Sequence, residues 1–210
     1  MTATVTTWWW VRHAPVVGLD GVLYGADDVP CDTSNRPAFE RLAAILPDHA
    51  HWLTSHLSRT HQTADAIRAA GLDFPAPQIE AQLGEQDFGD WQGRTWAEME
   101  QRDSVVYRDF WESPARSRPP NGESFLDQVD RTAAVIERIT AARPGQSIVA
   151  VAHGGTIRAA ICHAVGLTPE AAMSFTTDNL AVTCLQHVDG GLLRGRGGDW
   201  RVVCINRPAV

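Results

Sequence analysis

The chain contains no lysine; all 18 of its basic residues are arginine. Without a lysine it cannot form a Schiff base, hold pyridoxal phosphate covalently or build a P-loop. Any anion it grips must be held by Arg, His or backbone amides, and planar guanidinium forks suit phosphate or carboxylate oxygens. A genomic preference for Arg codons would also explain the bias. Cysteine is scarce: Cys31, Cys162, Cys184 and Cys204 lie far apart with no C-x-x-C pair, which suggests neither a zinc knuckle nor a redox motif. Reduced thiols in a cytoplasmic protein are the expectation. Positive charge is in deficit, 18 basic against 25 acidic residues for a net −7, which argues against nucleic acid or an anionic membrane as partner. Long apolar runs are missing too. The stretch Thr6 to Val11 stops at Arg12 and His13, and reads as neither signal peptide nor membrane span.

What is present is globular. The 210 residues are 44% hydrophobic and 20% charged, a length and composition that suit one large domain. Thr6 to Val11 is β-branched and aromatic without polar alternation, as in a strand buried on both faces, and Ser147 to Ala152 is a second such strand. The first runs into Arg12-His13; the second runs into His153-Gly154-Gly155 and a helix over Thr156 to Val165. Helices are predicted at Pro37 to Leu46 and Ser58 to Ala70, with a short strand His51 to Thr54 between them. Trp96 to Trp111 and Ser124 to Ala142 form a further helical region. Ala181 to His187 and Trp200 to Ile205 read as a hairpin at a sheet edge. The alternation predicts an α/β fold whose polar clusters lie at strand carboxyl ends, where open α/β sheets collect ligands.

Several chemistries can be set aside. There is no G-x-S-x-G elbow, no H-E-x-x-H helix and no C-x5-R loop, since Arg36 falls at the wrong distance from Cys31. His49, His51, His56 and His61 invite a metal test, but no carboxylate cluster accompanies them and a polar surface accounts for them. His163 reads as a packed or surface imidazole, Ser124 with Asp127 as a capping box, and Trp91 as core or a wall of the site. Arg12-His13 and His153 remain. An imidazole is a competent nucleophile toward phosphorus once neighbouring cations neutralise the oxygens, although a buried salt-bridge site would use the same residues. Arg59, at a helix start, opposes the macrodipole and so faces an anion more naturally than it serves structure, and Glu85 is either catalytic or loop charge.

Five segments occur in order: Arg12-His13, Ser55-x-Leu57-x-Arg59-Thr60-x-Gln62-Thr63-Ala64, Glu85-x-x-Phe88-Gly89-x-Trp91-x-Gly93, Gly122-Glu123-Ser124, and Val151-Ala152-His153-Gly154-Gly155-x-Ile157-Arg158. Together they resemble the histidine phosphatase superfamily, which includes the cofactor-dependent phosphoglycerate mutases and the α-ribazole phosphatases. The resemblance implies a single domain over 1–210, a three-layer α/β/α fold with a mostly parallel central sheet and an antiparallel edge strand. A helical subregion at about 95–142 would lie near the active site. It implies His13 as nucleophile, with Arg12, Arg59 and His153 on the phosphate oxygens. Glu85 would serve as general acid and then base, and His153 counts with His13 and Glu85 in the catalytic set. No metal and no cofactor is implied.

Glu85 is expected to carry a pKa well above the reference of about 4.3, and His153, if protonated, would add a third cation. Three departures stand out: Ala14 and Pro15 follow His13 where Gly then Glu, Thr or Pro is usual, Leu19 replaces an Asn that often touches the phosphate, and Thr60 replaces Ala. The segment Glu85 to Gly93 is similar to the phosphatase version of its motif. Gly21 to Pro30 is similar to the Y-G-x-x-D-x-P loop of α-ribazole phosphatases. The expected function is a phosphomonoester hydrolase, with α-ribazole 5′-phosphate or another small phosphorylated metabolite as substrate. A phosphoglycerate-type mutase and an inactive phospholigand-binding domain are the alternatives. A small metabolite is the expected partner, with no nucleic acid and no membrane, and a homodimer is left open.

Overall fold

The computed structural model describes residues 3–102, 104–193 and 197–209. In chain order the elements are β1 (Val5–Arg12), β2 (Val22–Leu23), α1 (Arg36–Ile45), β3 (Ala50–Thr54), α2 (Ser58–Ala69), β4 (Gln78–Ile79), β5 (Arg94–Thr95) and α3 (Trp96–Arg102). These are followed by α4 (Ser104–Glu112), α5 (Phe125–Ala142), β6 (Ser147–Ala152), α6 (Gly154–Val165), α7 (Pro169–Ala172), β7 (Val182–Val188) and β8 (Trp200–Arg207).

β1 is an inner strand, and its composition explains why. Strand alternation sends Trp8 and Trp10 to one face, where their rings stack with centroids 5.0 Å apart, and Trp9 and Val11 to the other. Trp8 and Trp10 pack with Ile148, Ala150 and the α5–α6 residues Val135, Ile139 and Ile161, whereas Val11 joins Phe39, Leu42 and Ile67 of α1 and α2. Helices therefore cover both faces of one sheet, ordered β4-β3-β6-β1-β7-β8. β1, β3, β4 and β6 are parallel, and β7 runs antiparallel to both β1 and β8. This is the expected three-layer α/β/α architecture with the hairpin at one edge.

Register is what positions the site. Arg12 pairs with Ala152 in the parallel β1–β6 ladder, so His13 and His153 leave the sheet side by side. Thr54 pairs with Val151, which brings Ser55 to the same end. The helix after His153 begins at Gly154, two residues earlier than the sequence pattern predicts, with His153 as its N-cap. Trp96 to Trp111 is helical over its described residues, in α3 and α4, as the sequence leads one to expect. The capping box is present: Ser124 accepts from the Asp127 N–H, and Asp127 accepts from the Ser124 N–H.

Candidate active site

His13 is buried, and its ring is oriented by its own neighbour. Nδ1 lies 2.7 Å from the Ala14 carbonyl oxygen and donates to it, which fixes the tautomer and leaves Nε2 as the lone-pair nitrogen. Its backbone is held from two sides: the N–H donates to Ala152 O at 3.0 Å, and the Asn179 amide donates to His13 O at 2.7 Å. Burial pushes the His13 pKa down to about 3, aided by Arg59 and Arg12 and opposed by the Ala14 carbonyl. A neutral imidazole is the nucleophilic form. Ala14 fits without strain, since its φ is not positive and its N–H donates to Thr63 Oγ1 at 2.9 Å.

His153 is buried with its ring centroid 5.2 Å from that of His13. Arg59 Nε donates to His153 Nδ1 at 3.3 Å, and His153 Nε2 lies 2.8 Å from Ser55 Oγ. A nitrogen that accepts from a guanidinium carries no proton, so this imidazole is neutral. Burial, His13 and Arg59 all lower its pKa well below the usual value. The expected third cation is therefore corrected: with these partners the positive charge of the site comes from the two arginines.

Arg59 is wholly buried, and its guanidinium donates to Asp27 O and Gly25 O, each at 2.7 Å. The loop that the sequence singled out at Tyr24 to Pro30 is thus the cradle of this cation. Gly25 has φ +41°, and a Cβ there would meet the Gln86 carbonyl and the Phe88 ring. Asp28 Oδ1 accepts the Ser58 N–H at 2.7 Å, putting an acid at the start of α2, where the macrodipole favours it. Arg12 donates through Nη1 to Thr177 O at 2.6 Å, and its buried Nε has no partner among the described residues. Each unit-charge pair near 4 Å is worth about 4 kcal/mol of gross Coulomb energy at an effective dielectric of ~20.

Glu85 joins the group from the chain after β4. Its Oε1 accepts from the Gln86 N–H at 3.0 Å, the Gln128 amide at 3.0 Å and the Gly155 N–H at 3.2 Å. Burial raises its pKa, but these three donors outweigh burial and lower it from the ordinary carboxylate value. The expectation of a raised pKa is overturned for the protein alone, in which the carboxylate is held as an anion. Gln128 was missed by sequence reasoning. Its signal is weak, a single Gln on the buried face of α5 beside Phe125, Val129 and Thr132. Asn179 gave no signal.

A cavity of about 340 Å³ opens directly beside Glu85 and Gly155. Its walls include Phe88, Phe110, Trp111 and Phe125, with Arg158 among them. Trp91 lies behind this wall: it is buried, and its ring meets Phe110 edge-on at 4.9 Å. His163 packs against Trp200, with ring centroids 5.8 Å apart. The larger depression, about 1340 Å³ and lined by His49, His51 and Arg143, lies at the opposite ends of β3 and β6, far from these groups. There His51 Nε2 meets Gln78 Oε1 at 3.1 Å. Among the described residues no cluster of three or more His, Cys, Asp or Glu could hold a metal, and no helix is long and apolar enough to cross a membrane.

Residues 8–196 match the family model of the histidine phosphatase superfamily (branch 1). The chain is 28% identical over 173 residues to the adenosylcobalamin/α-ribazole phosphatase of Escherichia coli K12, covering 81% of this chain and 84% of that protein. It is 32% identical over 167 residues to 2,3-bisphosphoglycerate-dependent phosphoglycerate mutase 2 of Gloeobacter violaceus, covering 76% of each. Among solved structures, a mycobacterial glucosyl-3-phosphoglycerate phosphatase superposes with a TM-score of 0.80 at 22% identity, covering 97% of this chain and 99% of that one. The chain belongs to the histidine phosphatase superfamily, whose metal-independent phosphatase reaction runs through a phosphohistidine.

Proposed function

We propose that His13 Nε2 attacks the phosphorus of a small phosphomonoester, with Arg12 and Arg59 holding the oxygens, His153 joining them by turning its Nε2–H from Ser55 to an oxygen, and Glu85 serving the leaving group. The observation that carries this reading is the convergence at one sheet end of a tautomer-fixed imidazole, two guanidiniums and a carboxylate. As the P–O bond breaks, Glu85 delivers a proton to the departing oxygen. It then takes a proton from the water that attacks phospho-His13, releasing inorganic phosphate. With Glu85 anionic in the protein alone, that first proton arrives with the substrate as a phosphate monoanion, or is taken up once the phosphate charge sits beside the carboxylate.

Hydrolysis is favoured over mutase action because the cavity beside Glu85 is walled mainly by aromatic rings, with Arg158 as the single cation among its lining residues. Ala14 sits unstrained, which weighs against reading that departure as a sign of an inactive domain. α-Ribazole 5′-phosphate is the specific candidate, on the likeness to the Escherichia coli enzyme and on the Tyr24 to Pro30 loop. The protein is proposed to act in the cytoplasm. A homodimer would draw on β8, an edge strand that leaves Val202 and Val203 exposed. Release of inorganic phosphate from that substrate tests the reading; movement of phosphate between substrate positions without release would point to the mutase instead.

A further inference from the structure

The phosphate site fixes where the substrate's organic part must go. Glu85 serves the leaving oxygen, so whatever that oxygen carries projects past Glu85 and Gly155 into the 340 Å³ cavity they border. Its walls are mainly apolar and aromatic, with Tyr24 and Gln86 as neutral polar groups among them. Phe110 and Phe125 are nearly inaccessible, and Trp111 stays 45% exposed while its ring meets Phe110 edge-on at 5.3 Å. Such surfaces reward an apolar ring.

One charged side chain interrupts this wall. Arg158, on α6, is tethered by Nε donating to Phe175 O at 2.8 Å, and burial lowers its pKa. Its two terminal nitrogens have no hydrogen-bond or carboxylate partner among the described residues, and the tether aims a planar fork into the cavity. A half-buried guanidinium in an apolar pocket is a fixed donor for an acceptor on the ligand.

Building on the phosphomonoesterase reading, we infer that the substrate's organic part is a planar aromatic group bearing a hydrogen-bond acceptor or carboxylate. The ring packs on Phe88, Phe110, Trp111 and Phe125, and the acceptor meets Arg158. These are specificity residues; they take no part in the proton transfers.

The test uses phosphate esters of similar leaving-group basicity, so that chemistry and recognition separate: propyl, glycerol, 2-phenylethyl and 2-(4-carboxyphenyl)ethyl phosphate. The 2-phenylethyl ester should exceed propyl and glycerol phosphate at least about tenfold in kcat/KM, and the carboxyphenyl ester should exceed the phenyl one. Trp111→Ala should collapse the first preference, and Arg158→Gln the second, chiefly through KM. Equal kcat/KM for the glycerol and phenylethyl esters in the unaltered protein would overturn the aromatic assignment, and a carboxyphenyl preference that survives Arg158→Gln would overturn the role of Arg158. Turnover of none of the four esters, or of any other phosphomonoester, would instead remove the phosphomonoesterase reading beneath it.

Discussion

At the scale of single residues, the chemistry depends on protons being in the right place before a substrate arrives. The Ala14 carbonyl takes the Nδ1 proton of His13, and burial keeps the ring neutral down to about pH 3. His13→Ala should therefore abolish turnover, measured as phosphate release. Glu85→Gln should slow hydrolysis by about 10²- to 10⁴-fold while changing phosphate binding far less, the usual consequence of losing an acid–base group. Gly155 sits where a Cβ would press on both the Glu85 carboxylate and the Gln128 amide. Gly155→Ala should lower kcat by about tenfold or more by displacing that carboxylate, with substrate affinity little altered.

The pH dependence has a definite sign. Glu85 is held below the ordinary carboxylate range and His13 is lowered to about 3, so a proton for the leaving group must come with the phosphate, whose second pKa is about 6. As pH rises through about 6 that proton is lost, and kcat/KM for an alkyl phosphate should fall; a rate that climbs steadily from pH 5 to 8 would contradict this.

At the scale of elements, two strand ends bury imidazoles that the unfolded chain exposes. His13 and His153 both have folded pKa values below the ordinary 6.5, so between that value and their folded pKa the unfolded chain binds more protons. Their contribution to stability is full above about pH 6.5 and is lost as pH falls. Each costs up to about 1.4 kcal/mol per pH unit in that window. Thermal unfolding at pH 7 and pH 5 should show a marked drop, and His13→Ala should shrink it.

Most of these elements were legible. The two inner strands announce themselves by unbroken apolar runs, and the parallel register then brings His13 beside His153 without further instruction. The short pair β2–β5 carries no comparable pattern, being too short for periodicity to register. Arg12, Arg59, Glu85 and His153 were readable because each lies in a motif. Their protonation was not, because it is set by partners distant in the chain: Gln128 and Gly155 for Glu85, Ser55 and Arg59 for His153.

At the scale of the whole molecule, a sheet covered on both faces carries the proposed phosphate site at one end, while the α3–α4 layer supplies one wall of the cavity beside it. Trp8 and Trp10 are inaccessible and stacked in that core, so Trp10→Ala should cost about 3–5 kcal/mol in denaturant unfolding. Since the proposed reaction uses no metal, exhaustive chelation should leave the turnover rate as it was.

The central claim is that phosphate passes through the Nε2 atom of His13. Rapid acid-free quenching of the protein during turnover of a labelled phosphomonoester, followed by peptide mapping, tests it most directly. Label on the peptide containing His13, lost on mild acid treatment as a phosphoramidate is and absent from His13→Ala, is the predicted result. An acid-stable label, or one that persists on another residue in His13→Ala, would contradict it.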